Sequence, residues 1–201
     1  LVAAGPLRAS KPAAATGLVG AWSFDEFQGR LIGDQSGREN HLTVTAGGLV
    51  KGVCGSGLEL DPRLGHVFAV PSESLAPSEA LALEAWVNFR ALPAAELATV
   101  IRKDGCYSLR FAQGRLGLVL WLAGSPVTLS ARKSDWQAGR WYHLAATYDG
   151  RHARLLVNGV EAGAAARPKA ESIGVQSSPC CIGSNNGQSR FPGVIDEVRI
   201  Y

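Results

Sequence analysis

Two tryptophans, Trp121 and Trp136, stand beside the turn-forming stretch 123–126 and just before Arg140. There an indole face can stack on the apolar face of a sugar ring. The run Gly183, Ser184, Asn185, Asn186, Gly187, Gln188, Ser189, Arg190 adds amides, hydroxyls and a guanidinium. Asn185, Asn186 and Arg190 are therefore candidate ligand-binding residues beside Trp121 and Trp136, since such groups supply the directional hydrogen bonds a stacked sugar needs. The competing reading is that Asn and Gly in this run make turns. Trp22, Trp86 and Trp141 lie inside strand-like runs and read as core or strand-edge residues.

Catalytic chemistry finds less support. Glycoside cleavage needs two carboxylates facing each other across the bond, and no Glu-x-Asp-x-x-Glu pattern occurs. Glu84 is a lone strand carboxylate, while Asp196 and Glu197 are adjacent and face opposite sides of a strand. His41, His66, His143 and His152 are scattered without ligand spacing, and no Gly-x-Ser-x-Gly elbow is present. The chain reads as a non-enzyme. Cys54, Cys106, Cys180 and Cys181 show none of the paired spacings of a zinc site, so they are expected to form disulfides. Three connectivities stay open. Cys180 and Cys181 would point to opposite faces of a strand.

The elements that must position these groups are strands. With 24 Gly and 10 Pro in 201 residues, and 46% hydrophobic against 18% charged, the composition suits short strands joined by frequent turns. Strand-like runs recur at 18–25, 41–45, 57–60, 66–70, 81–90, 99–103, 107–112, 116–122, 127–131, 141–148, 153–157, 181–184 and 195–201. Nothing between them has the length and period of an amphipathic helix. Gln113-Gly114, Asp149-Gly150 and Asn158-Gly159 fall where hairpins need turns. Leu81, Leu83, Ala85, Val87 and Phe89 alternate with Glu84, Trp86, Asn88 and Arg90, so one face of that strand is core. Trp141 to Tyr148 and Leu116 to Leu122 alternate likewise, and two packed antiparallel sheets explain both.

A net charge of +3, spread without a basic run, gives no reason to expect nucleic acid as a partner. No apolar stretch approaches the roughly 20 residues of a membrane span. Residues 1–16, Ala-rich with Pro6 and Pro12, read as a linker or leader remnant, and 17–201 as one domain.

Several motifs together resemble the laminin-G-like, concanavalin A-like lectin and glucanase superfamily in its bacterial branch. They are Leu83-Glu84-Ala85-Trp86-Val87, then Trp141 to Gly150 (Trp-Tyr-His-Leu-Ala-Ala-Thr-Tyr-Asp-Gly), then Leu155 to Val160. The opening Trp22-Ser23-Phe24-Asp25-Glu26 and the closing Phe191-Pro192-Gly193-Val194-Ile195-Asp196-Glu197-Val198-Arg199-Ile200-Tyr201 extend the likeness over 17–201. The resemblance implies an all-β jelly-roll sandwich whose first and last strands pair. It implies a secreted, cell-surface or periplasmic module of a longer protein. Such a module binds a glycan, binds another extracellular protein, or acts as a spacer; a glycoside hydrolase is a further alternative. It also implies a structural calcium ion near the terminal strands, with Asp25, Asp34, Asn40 and Asp196 as candidate ligands. The competing reading is that Asp34 and Asn40 cap turns and Asp25 ends a strand in solvent.

Overall fold

The computed structural model describes residues 17–92, 97–133, 135–166 and 169–201. The linker expected over 1–16 lies outside the described residues. Alternation of apolar and polar side chains, broken by Gly, Asn and Asp turns, leaves the chain no helical stripe to bury, and no helix forms among the described residues. In chain order the strands are β1 (Gly20–Trp22), β2 (Phe27–Gln28), β3 (Leu31–Ile32), β4 (Leu42–Val44), β5 (Gly47–Lys51) and β6 (Ser56–Leu60). They continue as β7 (Val67–Ala69), β8 (Leu81–Phe89), β9 (Ala98–Lys103), β10 (Tyr107–Ala112), β11 (Arg115–Leu122) and β12 (Ser125–Ser130). The last are β13 (Trp141–Tyr148), β14 (His152–Val157), β15 (Val160–Ala166), β16 (Cys180–Ile182) and β17 (Gly193–Ile200).

These strands build two antiparallel sheets. One, the terminal sheet, runs β15-β14-β13-β8-β17-β6-β5, with β1 also paired to β17; the other, the facing sheet, runs β12-β11-β10-β9-β16-β7-β4-β3-β2. First and last strands pair in the register Ala21 to Arg199, as the resemblance implied. The core lies between the sheets. Leu83, Ala85, Val87 and Phe89 of β8 meet Leu109 and Phe111 of β10 and Leu116, Leu118 and Leu120 of β11, all buried. Burial at about 25 cal/mol per Å² of apolar surface is what holds the layers together.

Hairpin chemistry fixes the registers. Asn158 and Gly159 sit at φ 51° and 77° between β14 and β15, the left-handed pair a tight hairpin needs. Between β11 and β12 the same pair is Ala123 and Gly124, at φ 49° and 80°. Strands β2, β3, β5 and β15 were not expected from the sequence. β15 reads Val-Glu-Ala-Gly-Ala-Ala-Ala, without β-branched alternation, and is held by its ladder to β14.

Two expectations are corrected here. All four cysteines are free thiols, so the expected disulfides are not formed. Cys180 and Cys181 do point to opposite sides: Cys180 joins the core and Cys181 lies on the outer side of the facing sheet. Burial pushes the Cys180 thiol up to about 12 and raises that of Cys106. Of the three tryptophans expected in the core or at strand edges, Trp22 is buried in the core, while Trp86 and Trp141 are not. They lie partly exposed on the outer side of the terminal sheet, Trp86 tilted against His143 at 5.2 Å and Trp141 opposite Asn88.

Candidate functional site

The four residues expected to hold calcium fall into two separate groups. Asp34 is saturated by its own turn. Its Oδ1 accepts from the amides of Ala21 and Ser36, both at 2.9 Å, and its Oδ2 from the Ser36 hydroxyl at 2.7 Å and the Asn40 amide at 2.9 Å. Asn40 is equally committed, its Nδ2 donating to the Val19 carbonyl at 2.7 Å and to Ser74 Oγ at 2.9 Å. These two residues tie the loop 34–40 to β1, and the expected ligand set does not assemble as a whole.

Asp25 and Asp196 do meet on one feature, the turn between β5 and β6. Asp25 Oδ1 accepts from the Ser56 amide at 2.9 Å. Asp196 Oδ2 accepts from the amides of Val53 at 2.9 Å and Cys54 at 3.2 Å. A Cβ on Gly55 would collide with the Asp25 carboxylate, and one on Gly52 with that of Asp196. Asp196 is fully buried, and burial raises its carboxyl to about 6 despite the amide bonds that oppose the shift. The Glu197 amide also donates to Asp196 Oδ1 at 2.7 Å, so three amides hold this buried carboxylate at the turn. Among the described residues no group of three or more His, Cys, Asp or Glu is gathered for a metal.

The outer side of the facing sheet is the second cluster. Alternation puts Tyr107, Leu109 and Phe111 inward, and so Ser108 and Arg110 outward. Register then lines Cys181, Arg102, Ser108, Val119 and Thr128 in one row across five strands. Arg110 falls opposite Gly117, which offers no side chain. Trp121 lies on this side too, partly exposed, with the Arg102 guanidinium 5.5 Å from its ring centroid. Arg102 pairs with Asp104, its Nε donating to Oδ1 at 2.6 Å.

The run 183–190 folds back over this row as a bank. Cys181 Sγ donates to Asn186 Oδ1 at 3.5 Å, Asn186 Nδ2 reaches Asp104 Oδ2 at 3.5 Å, and the Thr99 amide donates to the Ser189 carbonyl at 2.8 Å. Asn185 and Gln188 exchange backbone bonds at 2.7 and 2.8 Å, closing a turn in which Asn186 and Gly187 take φ 45° and 76°. Arg190 anchors the bank, donating to the Gly65 carbonyl at 2.7 Å. Of the five expected ligand residues, Trp121 and Asn186 therefore share the face, while Asn185 and Arg190 shape the loop beside it.

Trp136 is elsewhere. It is 6% exposed, edge-on to Phe111 and Tyr142 at 5.0 Å each, with its indole N–H donated to the Gly114 carbonyl at 3.0 Å. A stacking role for Trp136 is thus corrected to a core role. A residue just before a Gly-Arg turn looks solvent-facing in the sequence, and the aromatic cluster that captures it comes from β8, β10 and β13.

The face also holds groups that sequence reasoning missed: Arg102, Asp104, Ser108 and Arg110. Ser108 Oγ and Arg110 Nε are buried with no hydrogen-bond partner among the described residues. Each orphaned group costs about 1–3 kcal/mol. Burial lowers the Arg110 pKa, and the neighbouring Arg102 charge lowers it further. The only available signal was the strand alternation Tyr107, Ser108, Leu109, Arg110, which places both outward; pairing Arg110 with a glycine needed the register.

The sequence model of the concanavalin A-like lectin/glucanases superfamily matches residues 65–201, and the chain belongs to that family. No curated protein sequence matches it. Among solved structures, the binding domain of Paraclostridial Mosquitocidal Protein 1 is similar at TM-score 0.73 and 17% identity, over 92% of this chain and 48% of that one. Domain 4 of AbnA, a GH43 extracellular arabinanase from Geobacillus stearothermophilus in complex with arabinotriose, is similar at TM-score 0.70 and 22% identity, over 92% and 91%. The receptor binding domain of botulinum neurotoxin D is similar at 0.67 and 12%, over 92% and 49%. The chain spans about half the length of the two toxin chains. At these identities the likeness is one of fold. That fold is one used by binding domains within larger proteins.

Proposed function

We propose that the protein is a non-catalytic carbohydrate-binding module of a secreted or cell-surface protein, with its sugar site on the outer side of the facing sheet. The observation that carries this reading is Trp121, partly exposed and braced by Arg102, with Asp104 and Asn186 hydrogen-bonded beside it. An aromatic face next to fixed polar groups is the usual make-up of a sugar subsite. Asp104 is held in an ion pair with Arg102 rather than left free as an acid, which favours binding over hydrolysis. Further support comes from domain 4 of the arabinanase, which is similar over nearly its whole length and is seen in complex with arabinotriose as part of an extracellular enzyme. The alternative partner, an extracellular protein, would use the same face without needing Trp121 as a stacking surface.

Calcium is part of the same proposal. Asp25 and Asp196 are the residues that would hold it, at the β5–β6 turn. Bound there, the ion would neutralise the buried Asp196 carboxylate and lock the turn to β17; Asp34 and Asn40 would take no part.

Glycan-array binding tests the main reading. The protein should retain a defined subset of glycans, and Trp121→Ala should weaken that retention about fivefold or more, taking the loss of a ring stacked on an aromatic side chain as about 1–3 kcal/mol, the value for stacked bases. Thermal melting of the variant should change little, because the ring is not in the core. Retention of the same glycans by Trp121→Ala contradicts the assignment of the site.

A further inference from the structure

We propose that this face selects acidic glycans, with Arg102 and Arg110 forming a subsite for a carboxylate or sulfate group beside Trp121. The inference rests on the carbohydrate-binding reading above and names the chemical class of its ligand.

Two arginines of adjacent strands share this outer face. Ser108 is cross-strand from Arg102, and Arg110 lies two residues along the same face of β10. A register shift between Leu109 and Arg110 sets Arg110 opposite Thr99 instead of on the regular diagonal, yet the Arg102 charge still acts on it, so the two long side chains can flank one anionic group. Arg102 already has an acid, Asp104, whereas Arg110 makes no ion pair among the described residues. Arg102 is therefore neutralised by Asp104, while the Arg110 charge has no partner among the described residues of this face. The Arg110 Nε donor is buried and unpartnered while the residue as a whole stays partly exposed; the Ser108 hydroxyl, also unpartnered, has no solvent exposure and lies beneath the subsite.

Buried donors without acceptors are rare in folded proteins, and the Arg110 guanidinium, partly exposed with its Nε unpartnered, is a donor group that lacks its acceptor. A neutral sugar hydroxyl would satisfy one donor. A carboxylate or sulfate would accept from several and would also balance the Arg110 charge, with charge-assisted bonds about twice as strong as neutral ones. Gly117, opposite Arg110, puts no side chain of its own beside the guanidinium, although a Cβ there would already be at packing distance from the Leu129 carbonyl at 3.5 Å. Trp121 then takes the apolar face of the ring that carries the acid, and Arg102, held by Asp104, is the fixed half of the clamp.

Two measurements test this on the whole chain. In the first, nitrogen-15 signals of the arginine Nε–H groups are followed while sodium sulfate is added at constant ionic strength, with sodium chloride as the control. The Arg110 signal should move saturably with sulfate and not with chloride, and the Arg102 signal should follow. In the second, binding of uronate-containing and sulfated oligosaccharides is compared by calorimetry with their carboxyl-reduced and desulfated partners. At least one acidic class should bind tenfold or more tightly than its neutral partner, with Arg110→Gln removing that preference and Arg110→Lys restoring only part of it. Which class prefers the site tells carboxylate from sulfate. An Arg110 signal that ignores sulfate, or equal affinity for acidic and neutral partners, overturns the inference while leaving the carbohydrate reading intact. Failure of acidic and neutral glycans alike to bind overturns both. The comparison of ligands on the unmutated protein stands even if a variant fails to fold.

Discussion

Tryptophan is where the residue scale is most informative, because the same side chain serves opposite ends in this chain. Trp121 keeps a face near solvent, and Trp136 is enclosed by Phe89, Phe111 and Tyr142 with its N–H satisfied by a carbonyl. Trp136→Ala should leave a large cavity and cost about 3–5 kcal/mol. For a domain of this size that lowers Tm by roughly 10 °C or more, measurable by calorimetry, while glycan retention at the folded temperature stays unchanged. An effect near zero would mean that Trp136 is not the core residue described. Both residues looked alike in the sequence, each a lone Trp near a turn. Only the convergence of three strands on Trp136 separates them, and that is tertiary information.

Among the elements, the hairpins were the most legible and the short edge strands the least. Asn158-Gly159 announced its turn by residue type, since both residues tolerate positive φ. Ala123-Gly124 makes a turn of the same kind, yet Ala123 carries a Cβ at φ 49°, a conformation that strains an L-residue by about 1–2 kcal/mol. Replacing it with the residue the turn prefers should help. Ala123→Asn is expected to stabilise by about 0.5–1 kcal/mol, a rise in Tm of about 2 °C. A fall would show that the strain is absent. β5 escaped notice because Gly47 and Gly48 dilute its pattern, and with it went the turn on which Asp25 and Asp196 converge. That turn makes the calcium proposal testable. At calcium about 100-fold above its dissociation constant, the melting temperature should rise by about 5–10 °C and return with chelator. Asp25→Asn or Asp196→Asn should abolish the rise, and Asp34→Asn should not. A rise that survives both of the first two substitutions places the ion elsewhere.

For the whole molecule, the pairing of β1 with β17 joins the start of the described chain to its end and closes the terminal sheet around β8 and β13. The two-sheet architecture was legible because each long strand repeats an apolar alternation that only a sandwich can bury. Which outer side carries function was not legible. Alternation tells inward from outward, but it does not say that Arg102, Ser108, Arg110 and Trp121, spread over twenty residues and three strands, share one face bordered by the loop 183–190. The claim that this face is the binding surface is therefore the one to test directly. With backbone amides assigned, the protein is titrated with the oligosaccharide it retains best, and shift changes are mapped. They should cluster on β9, β10 and β11 and on 184–190. A footprint on the opposite side, around Trp86, Asn88, Trp141 and His143, would contradict the account.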